Sequence, residues 1–164
     1  MIALIPLLTL LAALGSGLMA GLFFAFSSFI MTALAKLPPE QGIAAMNSIN
    51  VTILNATFGL AFFGTAVLCL GLGIASILRW VEPGSAWLLV GSLLYLAGVI
   101  VVTMVFNVPL NDALAAVSPT SPEGAALWTR YLAEWLPWNH VRTFASIGAL
   151  IAFILAYGRQ AAAT

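Results

Sequence analysis

The residues best suited to chemistry lie in the stretch Trp138-Asn139-His140-Val141-Arg142-Thr143. It holds the only histidine of the chain and one of its five basic residues, directly before an apolar run. An imidazole can accept a proton or ligate a metal. A guanidinium two positions on is a permanent cation that pairs best with a carboxylate or another oxyanion. Pro137 is expected to end any preceding helix, and Asn139 to cap the next one. His140 and Arg142 would then lie in the first turn of the final helix. There the helix dipole favours a neutral imidazole, and unpaired backbone N–H groups favour a bound anion. Within the chain the candidate anions are Asp112 and Glu134; a substrate anion is the other candidate.

Four more asparagines, Asn47, Asn50, Asn107 and Asn111, fall near helix ends on the same side as Asn139. Burying so many amides near lipid is costly unless they satisfy one another or a ligand. The plain alternative is a cation that snorkels to the headgroups beside a hydrogen-bonding histidine. Absences narrow the chemistry. No Cys/His cluster has metal spacing, although His140 alone could ligate a haem or a metal shared across a dimer. No Gly-rich nucleotide fingerprint follows a strand pattern. The serines lack a convincing Ser–His–acid arrangement, and no acid lies inside an apolar span, which weakens a case for proton-coupled transport.

The elements that must position these groups follow from composition. Of 164 residues, 63% are hydrophobic and 6% charged, with a net charge of zero. Mean hydropathy is +1.13. Soluble domains carry about 25% charged residues, so lipid must be the main solvent here. The absence of a basic face argues against nucleic acid as a partner. Cys69 sits inside an apolar run and reads as a small buried hydrophobe. The first charge is Lys36, so the N-terminal apolar stretch lacks the basic start of a signal peptide and reads as a retained helix.

A spanning helix needs about 20 mostly apolar residues. Four segments qualify: 4–34, 55–78, 86–106 and 141–158. The expected fold is therefore all-α, a four-helix transmembrane bundle forming one domain over 1–164, with short amphipathic interfacial helices on one side. Four spans would return both termini to one side, read here as the cytoplasmic side of a bacterial inner membrane. A tight turn over 79–85 joins the middle spans. The opposite side carries nearly all the remaining mass, which is where a site is expected.

On that side, Pro38-Pro39 should open an interfacial helix in which Ile43, Met46 and Ile53 recur at helical spacing and Asn47 and Asn50 share a face. Asn107 is expected to cap a turn starting at Val108-Pro109. Ser121-Pro122-Glu123 marks another helix start. Trp128, Tyr131, Trp135 and Trp138 then form an aromatic stripe, either a headgroup belt or a lid over a pocket. In the first span, Ala13, Gly17, Gly21 and Ala25 make a small-residue face for bundle packing or a homo-oligomer. The run Phe23-Phe24-Ala25-Phe26 continues that span towards the loaded side.

Four blocks carry a resemblance: AGLFFAFSSFIMTALAKLP (20–38), GIAAMNSINVTILNATF (42–58), NVPLNDAL (107–114) and WTRYLAEWLPWNHVRT (128–143). With the span pattern they cover most of the chain, and it resembles the anthrone-oxygenase-like family of small membrane proteins. Thr32, Asn47, Val51 and Ala56-Thr57 depart from the family pattern around the first polar loop. The resemblance implies oxidation of anthrones to anthraquinones by dioxygen without flavin, haem or metal. It also implies Asn50, Asn107, Asn111, His140 and Arg142 as shared polar positions.

On these grounds His140, Arg142, Asn107 and Asn111 are expected to be catalytic. Asn47, Asn50, Trp135, Trp138 and Phe24 are expected to bind an apolar aromatic ketone or phenol arriving from the bilayer. The alternatives are a non-catalytic quinone- or lipid-headgroup-binding protein, a haem-binding redox protein using His140, and a structural membrane subunit.

Overall fold

A computed structural model describes residues 4–162. Those residues form five helices and no strand: α1 (Leu4–Leu34), α2 (Pro39–Thr52), α3 (Ala56–Leu78), α4 (Ser85–Ala115) and α5 (Pro122–Ala161). All but α2 are long and apolar enough to cross a membrane. They form a ring in which α1 packs on α3 and α5, and α4 packs on the same two helices.

Helix length decides the shape. At 1.5 Å per residue, the 40 residues of α5 extend about 60 Å, twice a hydrocarbon core of about 30 Å. The 23 residues of α3 only just span it. So α1, α4 and α5 overhang on one side, and α2 packs between them there. Two apolar cores result. One lies within the four-helix ring around Phe62, Leu72, Tyr95 and Phe153. The other lies in the overhang, where Ile43 and Met46 of α2 meet Met31, Leu114, Trp128 and Tyr131.

Several sequence expectations are corrected. Pro137 does not stop a helix: α5 runs unbroken from Pro122 to Ala161. The pyrrolidine ring removes one backbone donor, but Pro137 and Ala133 are both exposed, so the carbonyl left unpaired is not enclosed by the bundle. Asn139 is therefore no N-cap, and His140 and Arg142 lie far from any helix end. The dipole argument for both residues falls with it. Likewise α4 continues past Phe106 to Ala115. Asn107 caps nothing, since its backbone is helical and its side chain makes no capping bond. The start at Ser121 holds: its hydroxyl accepts from Gly124 N at 3.0 Å, with Pro122 at the first helical position.

The spanning helices contain π-helical turns at Phe26–Ile30 in α1, Leu60–Gly64 in α3, and Leu96–Val101 and Thr103–Asn107 in α4. Such widened turns shift the phase of the side chains that follow and are frequently found at functional sites. In α3 the Phe62 carbonyl within such a turn accepts from the Tyr95 hydroxyl at 3.0 Å. In α4 the widened turn directly precedes Pro109, whose ring would otherwise crowd the previous turn.

The packed stripe of α1 is Ala12, Ser16, Met19 and Phe23; of the small-residue face, Ala13 is buried in the core and Gly17 lies against Leu150 of α5, while Ala25 is only half-buried. Gly21 is exposed, with open space beside it. The close approach is at Gly15, where a Cβ would collide with the Thr65 hydroxyl of α3. In the turn between α3 and α4, Gly84 takes φ +88°, a left-handed conformation that other residues rarely adopt.

Candidate functional site

Because α5 is continuous, its stripe keeps one phase across Pro137. Trp128, Tyr131, Trp135, Asn139, Arg142 and Ser146 recur at spacings of three and four and are all buried. The aromatic part is neither a headgroup belt nor an open lid. Its rings stack inward, with centroids 5.6 Å apart for Trp128–Tyr131 and 5.9 Å for Tyr131–Trp135.

Trp135 is the hub. Its Nε1 donates to Asn111 Oδ1 at 2.9 Å, and the Tyr131 hydroxyl donates to the same oxygen at 2.7 Å. Its backbone carbonyl accepts from Asn107 Nδ2 at 3.2 Å. Its ring packs 5.6 Å from Phe26 and lies 4.9 Å beneath the guanidinium carbon of Arg142. Asn107 and Asn111, four apart on α4, thus tie that helix to α5. Asn50 reaches the Tyr131 hydroxyl from α2, but its Nδ2 makes no hydrogen bond of regular geometry. Asn47 Nδ2 donates to the Leu114 carbonyl at 3.4 Å, a long bond that fastens α2 to α4.

Arg142 is 5% exposed. Its guanidinium lies between Trp135 and the Phe23 ring, 4.4 Å from the latter. It donates to Asn139 Oδ1 at 2.8 Å and to Thr103 Oγ1 at 3.3 Å, while Nε has no partner. Among the described residues no carboxylate pairs with it. Glu134 is engaged with Arg130 at 2.8 Å on the exposed side of α5, and Asp112 is exposed. Both sequence candidates for its counter-ion are thereby removed. Asn107 Oδ1, with Asn107 fully buried, is also unpartnered.

His140 lies on the other flank of Asn139. Residues two apart on a helix do not face each other. His140 Nδ1 is 2.9 Å from Ser27 Oγ of α1 and half-buried, whereas Arg142 turns towards Thr103 of α4. Asn139 joins them: its Oδ1 accepts from Arg142, and its Nδ2 donates to Ser27 Oγ at 2.8 Å. The two expected chemical groups share no hydrogen bond and are connected through the Asn139 amide and the Ser27 hydroxyl.

The remaining expectations divide. Trp138 is half-buried and stacks flat on Phe106, with centroids 3.6 Å apart. Phe24 is 58% exposed and points away from the cluster; its neighbours Phe23 and Phe26 are the ones that line it. Sequence reasoning missed Ser27, Thr103 and Thr143, and gave Asn139 the wrong role. The available signal was the repeated polar spacing of four inside apolar helices, Thr103–Asn107–Asn111 and Asn139–Thr143. A hollow of about 550 Å³ lined by Ile5, Ala75, Arg79, Glu82 and Gln160 lies at the opposite end of the bundle and includes none of the site residues.

Fold and site together define a helical membrane bundle holding a caged cation with no carboxylate partner among the described residues. A sequence model of the anthrone oxygenase family matches residues 54–152, more than half of the chain, and the chain belongs to that family. The match takes in Asn107, Asn111, Trp135, Asn139, His140 and Arg142; Ser27 and Asn50 precede it. No curated protein and no solved structure matches the chain.

Proposed function

We propose that this protein oxidises an apolar aromatic ketone or phenol of the anthrone type to a quinone with dioxygen, and that Arg142 holds the anionic form of the substrate. The observation that carries this reading is the Arg142 guanidinium: buried, sandwiched by Phe23 and Trp135, unpaired at Nε and without a carboxylate among the described residues. Burying a charge costs several kcal/mol unless an opposite charge or good hydrogen bonds offset it. A substrate enolate or phenolate supplies that charge.

Membership of the family supports an oxidation of this class, and the residue roles that follow are part of the proposal. His140 removes a proton from the methylene carbon or hydroxyl of the substrate. The resulting anion is stabilised by Arg142, a fixed charge in a site that excludes water. The Asn107 oxygen and the amide of Asn111 orient the substrate, and Phe106 and Trp138 offer a flat surface to a polycyclic guest. The electron-rich carbon then reacts with dioxygen. One oxygen atom becomes the new carbonyl; the other leaves as water with the two methylene hydrogens, so the substrate supplies all four electrons. No flavin, haem or metal is required by this balance. Dioxygen and polycyclic aromatics both partition into lipid, which suits a site within a membrane bundle.

The test is quinone formation by purified protein given an anthrone under air. Wild type is expected to turn over; Arg142→Gln and His140→Ala are expected to lose at least about 100-fold, the usual contribution of an electrostatic or acid–base group. Co-purified quinone without turnover would make this a binding site. A Soret band in the visible spectrum would instead assign His140 to haem.

A further inference from the structure

We propose that the hydrogen-bond chain Arg142–Asn139–Ser27–Thr143 holds neutral His140 as the Nδ1–H tautomer, with Nε2 as its free lone pair. Asn139, Ser27 and Thr143 are then positioning residues for the imidazole.

The chain can be read one donor at a time. A guanidinium only donates, so the Asn139 atom 2.8 Å from Arg142 is its carbonyl oxygen. That fixes the amide orientation. The Asn139 nitrogen therefore faces the Phe23 carbonyl and Ser27 Oγ, both at 2.8 Å, and donates one hydrogen to each. A backbone carbonyl only accepts, which requires the same orientation independently. Ser27 Oγ is thus already an acceptor.

Thr143 supplies the next step. Its hydroxyl donates to the backbone carbonyl of Asn139 at 2.8 Å, which occupies its single hydrogen. Its 3.0 Å contact with Ser27 Oγ can then be a hydrogen bond only if Ser27 donates. Ser27 has no second hydrogen. Towards His140 Nδ1, 2.9 Å away, it can only accept, so Nδ1 carries the hydrogen. The opposite tautomer would redirect the Ser27 hydrogen to Nδ1. Either Ser27 Oγ and Thr143 Oγ1 then sit 3.0 Å apart with no hydrogen between them, or Thr143 turns its hydrogen to Ser27 and leaves the Asn139 backbone carbonyl 2.8 Å away unbonded to it. Losing one hydrogen bond in either case favours the Nδ1–H form by about tenfold.

No hydrogen bond forms at Nε2 among the described residues. If the proposed oxidation is correct, Nε2 is the atom that receives the substrate proton; this step alone rests on that reading. Ser27 lies in the π-helical turn Phe26–Ile30 of α1, whose shifted phase sets its hydroxyl against α5.

His140 is the only histidine, so two-bond ¹⁵N–¹H spectra of uniformly labelled protein report one ring without assignment. At a pH where the ring is neutral and without substrate, Nε2 is expected at the unprotonated, imine-type position and Nδ1 at the protonated, pyrrole-type position. Thr143→Val removes the acceptor for the Ser27 hydrogen and frees it to donate to Nδ1. The ratio should then move towards Nε2–H by about tenfold. Ser27→Ala should return the ring to a tautomer mixture. Helix content by circular dichroism checks that each variant folds. An Nε2–H wild type, or ratios unchanged in both folded variants, would overturn the proposal. Failure to form quinone would remove the proposed reaction and leave the tautomer assignment intact.

Discussion

At Arg142 the bundle accepts an electrostatic cost that two aromatic faces and two hydrogen bonds only partly offset. A non-turnover phenolate that fills the site should therefore stabilise the fold. At 100 times its Kd the gain is about 2.7 kcal/mol, or roughly 5–10 °C in Tm for a chain of this size. Arg142→Met keeps the length and apolar contacts of the side chain but removes the charge, and should abolish that shift in thermal unfolding in detergent. An equal shift in the variant would place the anion elsewhere. Trp135 offers a second residue-scale test. Trp135→Phe keeps a ring beneath Arg142 but loses the bond to Asn111, which should cost about 1 kcal/mol. Trp135→Ala empties the hub and should cost about 3–5 kcal/mol, read from the same unfolding curves.

Helix α5 carries the stripe across Pro137, so its function depends on uninterrupted phase. An interior proline costs a helix about 3 kcal/mol where its effects are fully felt. Here the ring faces outward and the helix is unbroken. Pro137→Ala should restore a bond to the Ala133 carbonyl, raise stability by about 1–3 kcal/mol and leave the Asn139–Ser27 bond in place. A Tm below that of wild type would mean that the proline sets the path of α5. The contact between α1 and α3 is tighter. Gly15→Val drives a side chain into Thr65 and should destabilise by about 1–3 kcal/mol, whereas Gly21→Val, with open space beside it, should be near neutral.

The whole molecule is two stacked cores, one in the ring of spans and one in the overhang, with the polar chain at their junction. Phe23 belongs to the first and Trp135 to the second, and Arg142 lies between them. This architecture puts the turn between α3 and α4 on one face and the α4–α5 connection on the other. Cys69 is the only cysteine and is buried, so Cys69→Ser gives a clean background. Cysteines placed at Val81 and Ser118, both exposed, should be labelled by an impermeant thiol reagent from opposite sides of sealed vesicles. Labelling from the same side would contradict the four-span arrangement.

Composition and apolar run length alone determined that this chain is helical and lives in lipid, because a chain with so few charges has no other solvent. Spacing marked the α5 start at Ser121, the amphipathic α2 and the polar positions Asn107, Asn111, His140 and Arg142. It failed at Pro137 and Val108-Pro109, where local rules break a helix and the packed bundle does not. A proline on an outward face, or behind a widened turn, gives up one bond while the neighbouring helices keep the rest of the element fixed. Only the tertiary structure decided what the polar groups touch. The π-helical turns that aim Ser27 and Asn107 leave no mark in the sequence. Asn139 became a hub rather than a cap because α5 continued through it. Which acceptor a buried donor finds is settled by the helix packed beside it, and that information is not local to any stretch of chain.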